Sequence, residues 1–131
     1  MAVHRFAIEG TFYKKRTLPA LNDYLGECNR NRLAGGRMKK NFQYIISQFI
    51  RRDLKRLKIA KPVIIHYRFF ETDKRRDKSN IASLSMKFIE DALQECGVLQ
   101  NDNWQCVTGF THEFYIDVKN PRIEVELEEV E

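Results

Sequence analysis

The stretch "PVIIHYRFF", Pro62 to Phe70, decides the fold. It is rich in β-branched and aromatic residues, and both of its alternating sets carry apolar side chains. A strand of that kind is covered on both faces, so it reads as a central strand. His66 lies within it and reads as a structural histidine. Upstream, Arg37 to Lys58 is helical: Met38, Phe42, Ile45, Ile46, Phe49, Ile50, Leu54 and Leu57 recur at spacings of three and four. Downstream, about Asn80 to Glu95 repeats the pattern through Ile81, Leu84, Phe88, Ile89, Ala92, Leu93 and Cys96, with Gly97 as the stop.

Further outward, "VHRFAIEGTFY" from Val3 reads as a first strand that ends near Gly10 or shortly after. Residues 14–36 are polar, with Pro19 near the middle and Gly35-Gly36 at the end, and leave room for a short helix around residues 20–30. "QCVTGFTHEFYIDV" and "RIEVELEEV" read as two strands joined by "KNP". In the second, Ile123, Val125 and Leu127 alternate with Glu124, Glu126 and Glu128, which predicts one buried and one acidic face. The order β, loop, α, β, α, β, β predicts a single α+β domain, a mixed sheet with two main helices packed on it.

The 131 residues suffice for one buried core, and 43% hydrophobic with 11% aromatic content is globular. No apolar run reaches the eighteen or so residues of a membrane span, and "MAVHRFAIEG" lacks the apolar core of a signal peptide. Cys28, Cys96 and Cys106 show no CxxC pairing, so a disulfide framework or zinc site is not expected and a reducing cytoplasm is. The net charge of +5 is segregated: residues 1–78 carry 20 Lys and Arg against 7 Asp and Glu, residues 79–131 carry 3 against 11. A basic face for a polyanion beside an acidic part fits that split, as does a solvated basic surface. Lys39, Lys40, Arg51, Arg52, Lys55, Arg56 and Lys58 fall mostly off the first helix's apolar stripe, either as solvated surface or as phosphate contacts.

The loop "RRDKSNIAS", residues 75–83, and the later "LQNDNWQ", residues 99–105, hold the chemistry-bearing residues. Read locally, Ser79 is an N-cap, Asp77 favours the positive helix end or pairs with Arg75 or Arg76, and Asp102 is a turn residue. Lys87 and Asp91 stand four apart as a surface pair. Read together, Asp77, Lys87 and Asp102 are candidates for an active site. Loops before and after a helix of about fifteen residues ordinarily lie at opposite ends of it, so spacing alone does not bring Asp77 to Asp102.

"RRDKSN…KFIEDALQECGVLQNDNW" resembles the RusA-type Holliday-junction endonucleases of bacteria and phages. The matching pieces are Arg76, Asp77, Ser79, Asn80, Lys87, Asp91-Ala92-Leu93, Gly97-Val98 and Asn101-Asp102. "LPALNDY", "GGRMKK" and the tail "FYIDVKNPRIEVEL" are similar to phage-type members. The resemblance is close over residues 73–127 and looser before. It implies a small dimerising α/β fold and paired, Mg2+-dependent (or Mn2+-dependent) nicking of four-way junction DNA. By position, Asp77 and Asp102 match metal-binding aspartates and Lys87 matches the catalytic lysine, with about one extra helical turn before it. Lys14, Lys15, Arg16, Arg37, Lys39, Lys40, Lys74, Arg75 and Arg76 would contact DNA.

Ser79 departs from that pattern, because the family carries a second aspartate there. A hydroxyl can ligate magnesium but brings no charge. Asp73 or Glu71 could substitute, the site could work more weakly, or the chain could bind junctions without cutting them. An RNA-binding basic protein is the third reading.

Overall fold

The computed structural model describes residues 2–10, 21–31 and 33–130. Its elements are β1 (Val3–Glu9), α1 (Leu21–Arg30), α2 (Ala34–Leu54), β2 (Val63–Glu71), α3 (Lys78–Glu95), β3 (Val107–Ile116) and β4 (Arg122–Glu129). The architecture is α+β, as the order of periodicities predicts. Among the described residues there are three helices rather than two main ones, since the region around 20–30 does form α1.

The strands make one mixed sheet in the order β1-β4-β2-β3. Strand β2 is interior, antiparallel to β4 and parallel to β3, and α3 is the crossover that a parallel pair requires. Register sets Ile65 opposite Leu127, Tyr67 opposite Val125 and Phe69 opposite Ile123. These side chains share one face, and all six are buried. Ile46 and Ile50 of α2 and Phe88, Ile89 and Leu93 of α3 close over them. Each such side chain removed from water contributes roughly 1.5–3 kcal/mol. Helix α1 packs on α2 and α3.

The opposite face of the sheet is a ladder of polar and charged pairs. Arg5 meets Glu126 at 2.7 Å, His66 meets Glu128 at 2.8 Å and Thr111 at 2.6 Å, and Arg122 meets Glu124 at 2.8 Å and Asp117 at 2.9 Å. The Arg5 hydrogen bond holds the Glu126 carboxyl below the usual glutamate range. His66 is thus a cross-strand structural residue, as expected from its place in β2.

Three boundaries shift from the sequence-based reading. Helix α2 begins at Ala34, ahead of the Gly35-Gly36 pair, and takes both glycines into its first turn; Gly35 lies against Cys28 of α1, where a Cβ would collide with the Cys28 Sγ. It ends at Leu54, where Lys55 turns to a φ of 59°, so Leu57 and Ile59 reach the core from a loop. Helix α3 begins at Lys78, and the cap position is Asp77, with φ −69° and ψ 136°. Ser79 therefore lies inside the first turn and is not the N-cap, because the extended backbone that defines a cap falls two residues earlier. No described helix is long and apolar enough to cross a membrane.

Candidate active site

Helix α3 carries the candidate residues, and its two ends are built differently. At the N-terminal end, the Asp77 carbonyl accepts the Ile81 N–H at 3.1 Å, while its carboxylate makes no cap hydrogen bond. The loop before it is held by its own charges. Arg76 grips Glu71 with two parallel bonds of 2.9 and 3.0 Å, and the Asp73 carboxylate accepts the Arg75 N–H at 2.9 Å. The ion pairs of Arg75 and Arg76 run to Asp73 and Glu71. Asp77, Lys78 and Ser79 are exposed. Ser79 lines an open groove of about 410 Å3 between α3 and β3, walled by Ala82, Met86 and Phe114.

At the other end, α3 stops in a Schellman turn. Gly97 takes a φ of 75°, its N–H bonds the Gln94 carbonyl at 3.0 Å, and the Val98 N–H bonds the Leu93 carbonyl at 3.0 Å. The chain then doubles back through two asparagine-built turns. The Asn101 side chain accepts the N–H groups of Asp102 and Asn103 at 2.7 and 3.1 Å; that of Asn103 accepts those of Gln105 and Cys106 at 3.1 and 3.0 Å. This folded path carries Asp102 back to the middle of α3.

There Lys87 meets Asp102 at 3.5 Å and Asp91 at 3.2 Å. The other Asp91 oxygen takes Lys39 and Gln43 of α2, each at 3.3 Å. The hydrogen bond to Asp91, more than the field of Asp102, holds the Lys87 ammonium above the usual lysine range. Beneath this exposed cluster, the Tyr67 hydroxyl donates to Glu90 at 3.0 Å, and Glu90 is only 8% exposed. Burial pushes the Glu90 carboxyl up, with the Tyr67 bond working against it. Burial also pushes the Tyr67 hydroxyl well up.

The structure therefore joins Lys87 to Asp102 and leaves Asp77 and Ser79 apart from both. Ten residues of helix between Asp77 and Lys87 amount to about 15 Å of rise. Among the described residues, no three His, Cys, Asp or Glu side chains come together as a metal-binding group. A hard cation such as Mg2+ takes its ligands from converging oxygens. As one chain holds them, Asp77, Ser79 and Asp102 do not fit one ion. Glu71 is a poor substitute for the absent aspartate, since Arg76 occupies both its oxygens.

Of the candidate DNA contacts, Lys14, Lys15 and Arg16 lie outside the described residues. Lys39, Arg75 and Arg76 are engaged with Asp91, Asp73 and Glu71. Arg37, Lys40 and Lys74 are exposed and have no ion-pair partner among the described residues. Sequence reasoning did not foresee Asp91 as the hub between α2 and α3. Nor did it foresee the buried Tyr67–Glu90 pair, whose one signal is that Glu90 directly follows the apolar Phe88 and Ile89. No protein-family model and no curated protein matches the chain, so a functional reading rests on its own residues.

Proposed function

We propose that the chain is a structure-selective DNA endonuclease that nicks four-way junctions as a homodimer with Mg2+ or Mn2+. The observation that carries this reading is the meeting of Lys87 and Asp102, fifteen residues apart, at an exposed site on a basic chain. The likeness of residues 73–127 to RusA-type endonucleases supports it. In such a site the Lys87 ammonium stabilises charge gathering on the phosphate oxygens during displacement, and Asp91 and Asp102 aim it. Arg37, Lys40 and Lys74 add phosphate contacts that weaken with salt. Because one chain divides Asp77 and Ser79 from Asp102, the proposal requires a second chain or the bound DNA to close that gap.

The test is nicking of a synthetic four-way junction across a Mg2+ titration. Asp77→Asn, Asp102→Asn and Lys87→Met should each lower cutting by about a hundredfold or more while junction binding persists. Undiminished cutting by both aspartate variants rejects the assignment. A second reading, a junction binder with little or no cutting, draws on Ser79 and on the locking of Glu71 by Arg76. It expects Ser79→Asp to raise cutting sharply over the wild type.

A further inference from the structure

We propose that Trp104 is a base-stacking residue, the ring on which an unpaired base of bound DNA is laid. This rests on the DNA-binding reading above and adds to it the strand state that is recognised. Trp104 is the chain's single tryptophan, and it is 95% exposed. Among the described residues, the next most exposed large apolar side chain, Leu33, is at 66%. An indole left almost wholly in water forgoes a large burial gain, so it is available to an incoming ring.

The ring stands on a fixed platform. The Asn101 and Asn103 side chains cap four N–H groups around it. The α2–β2 connection and the first residue of β2 tie both ends of the loop, through Ile59 N–H to the Val98 carbonyl and Val63 N–H to the Cys106 carbonyl, each at 2.9 Å. Lys58 and Lys61 lie on that same segment, exposed and without an ion-pair partner among the described residues. An exposed aromatic ring on one loop and unpaired cations on the segment tied to that loop's ends are the chemistry by which proteins grip single-stranded nucleic acid, the ring taking the base and the cations the backbone.

The surroundings argue against a second copy of the chain as occupant. Gln100, Asn101, Asn103 and Gln105 flank the indole and are exposed. A segment so rich in exposed amides is unlike the apolar centre of a homodimer interface. Asp102, two residues away, holds Lys87, so a base stacked on Trp104 lies on the loop that shapes the proposed active site.

Since Trp104 is the only tryptophan, the emission of the whole chain reports on it. Binding is followed separately by the anisotropy of end-labelled DNA, with a short oligothymidylate and a blunt duplex as probes. The oligothymidylate should quench the emission, and Trp104→Ala should weaken its binding about tenfold or more. Trp104→Phe should restore most of that loss, and the duplex should respond little to either variant. Oligothymidylate binding with unchanged emission and an unchanged Trp104→Ala affinity overturns the proposal and leaves the DNA-binding reading in place. No anisotropy change with any DNA overturns both. Emission that shifts with protein concentration alone assigns Trp104 to self-association and overturns the proposal.

Discussion

The two ends of α3 use their polar residues in opposite ways. Around its middle and C-terminal half, Lys87, Glu90 and Asp91 each bond to another element: the 99–106 loop, β2 or α2. At its start, the Asp77 carboxylate and the Ser79 hydroxyl have no side-chain partner among the described residues, and Lys78 rests only over the Phe114 ring at 5.6 Å. One end therefore mixes structural and chemical roles, while the other holds groups that the fold does not need. Substitutions in the first group should change stability. Those in the second should leave it almost unaltered, so any loss of activity there reports on chemistry.

The largest structural effect is expected at the buried pair. Tyr67→Phe leaves Glu90 with no hydroxyl donor at a nearly closed position, which should cost about 1–2 kcal/mol at pH 7. Thermal or urea unfolding measures it directly. The same pair carries a pH signature. Burial holds the Glu90 carboxyl above its ordinary value of 4.5, so the folded state favours the protonated form. That contribution is complete below 4.5 and is lost as pH rises through the raised folded value. Glu90→Gln cannot ionise, so its stability relative to the wild type should rise with pH and level off above that folded value. A wild-type advantage that grows with pH would show the carboxyl to be stabilised as an anion instead.

The C-terminal turn of α3 gives an effect of comparable size. Gly97 sits at φ 75° with open space where a Cβ would point. Gly97→Ala therefore pays only for the left-handed backbone, about 1–2 kcal/mol. A larger loss, read from the same unfolding curves, would mean that the turn also fixes the return of the chain towards Lys87. In that case Gly97→Ala should loosen the Lys87–Asp102 contact and lower cutting as well.

These contrasts also explain what the sequence could disclose. The sheet and the two long helices are written in periods of 2 and 3.6, and one local window suffices to read each. Ser79 was misleading because Asp77 and Ser79 are both capping types. The choice between them is made by where the backbone becomes extended, after a loop anchored by Arg76 on Glu71 and by Asp73 on the Arg75 N–H. The Lys87–Asp102 contact is non-local in another sense. It depends on the path set by Asn101 and Asn103, whose side chains bend the loop back along the helix. Glu90 is harder still, since only the position of Tyr67 on β2 makes a buried carboxyl at that place tolerable.

The smallest structural effect should accompany the sharpest functional one. Asp77→Asn keeps the size of the side chain, removes no hydrogen bond and acts at an exposed position, so stability should stay within about 0.5 kcal/mol. Loss of the favourable charge at the helix N-terminus falls in the same small range. If junction cutting nevertheless disappears while unfolding is unchanged, the carboxylate is retained for chemistry alone. Mixing Asp77→Asn chains with Asp102→Asn chains then asks how the two ends of α3 meet. If Asp77 of one chain works with Asp102 of its partner, a mixed dimer contains one site with both aspartates intact and should recover nicking of one strand. If both must come from one chain, neither site in the mixed dimer is intact, and the mixture should stay as inactive as its parents.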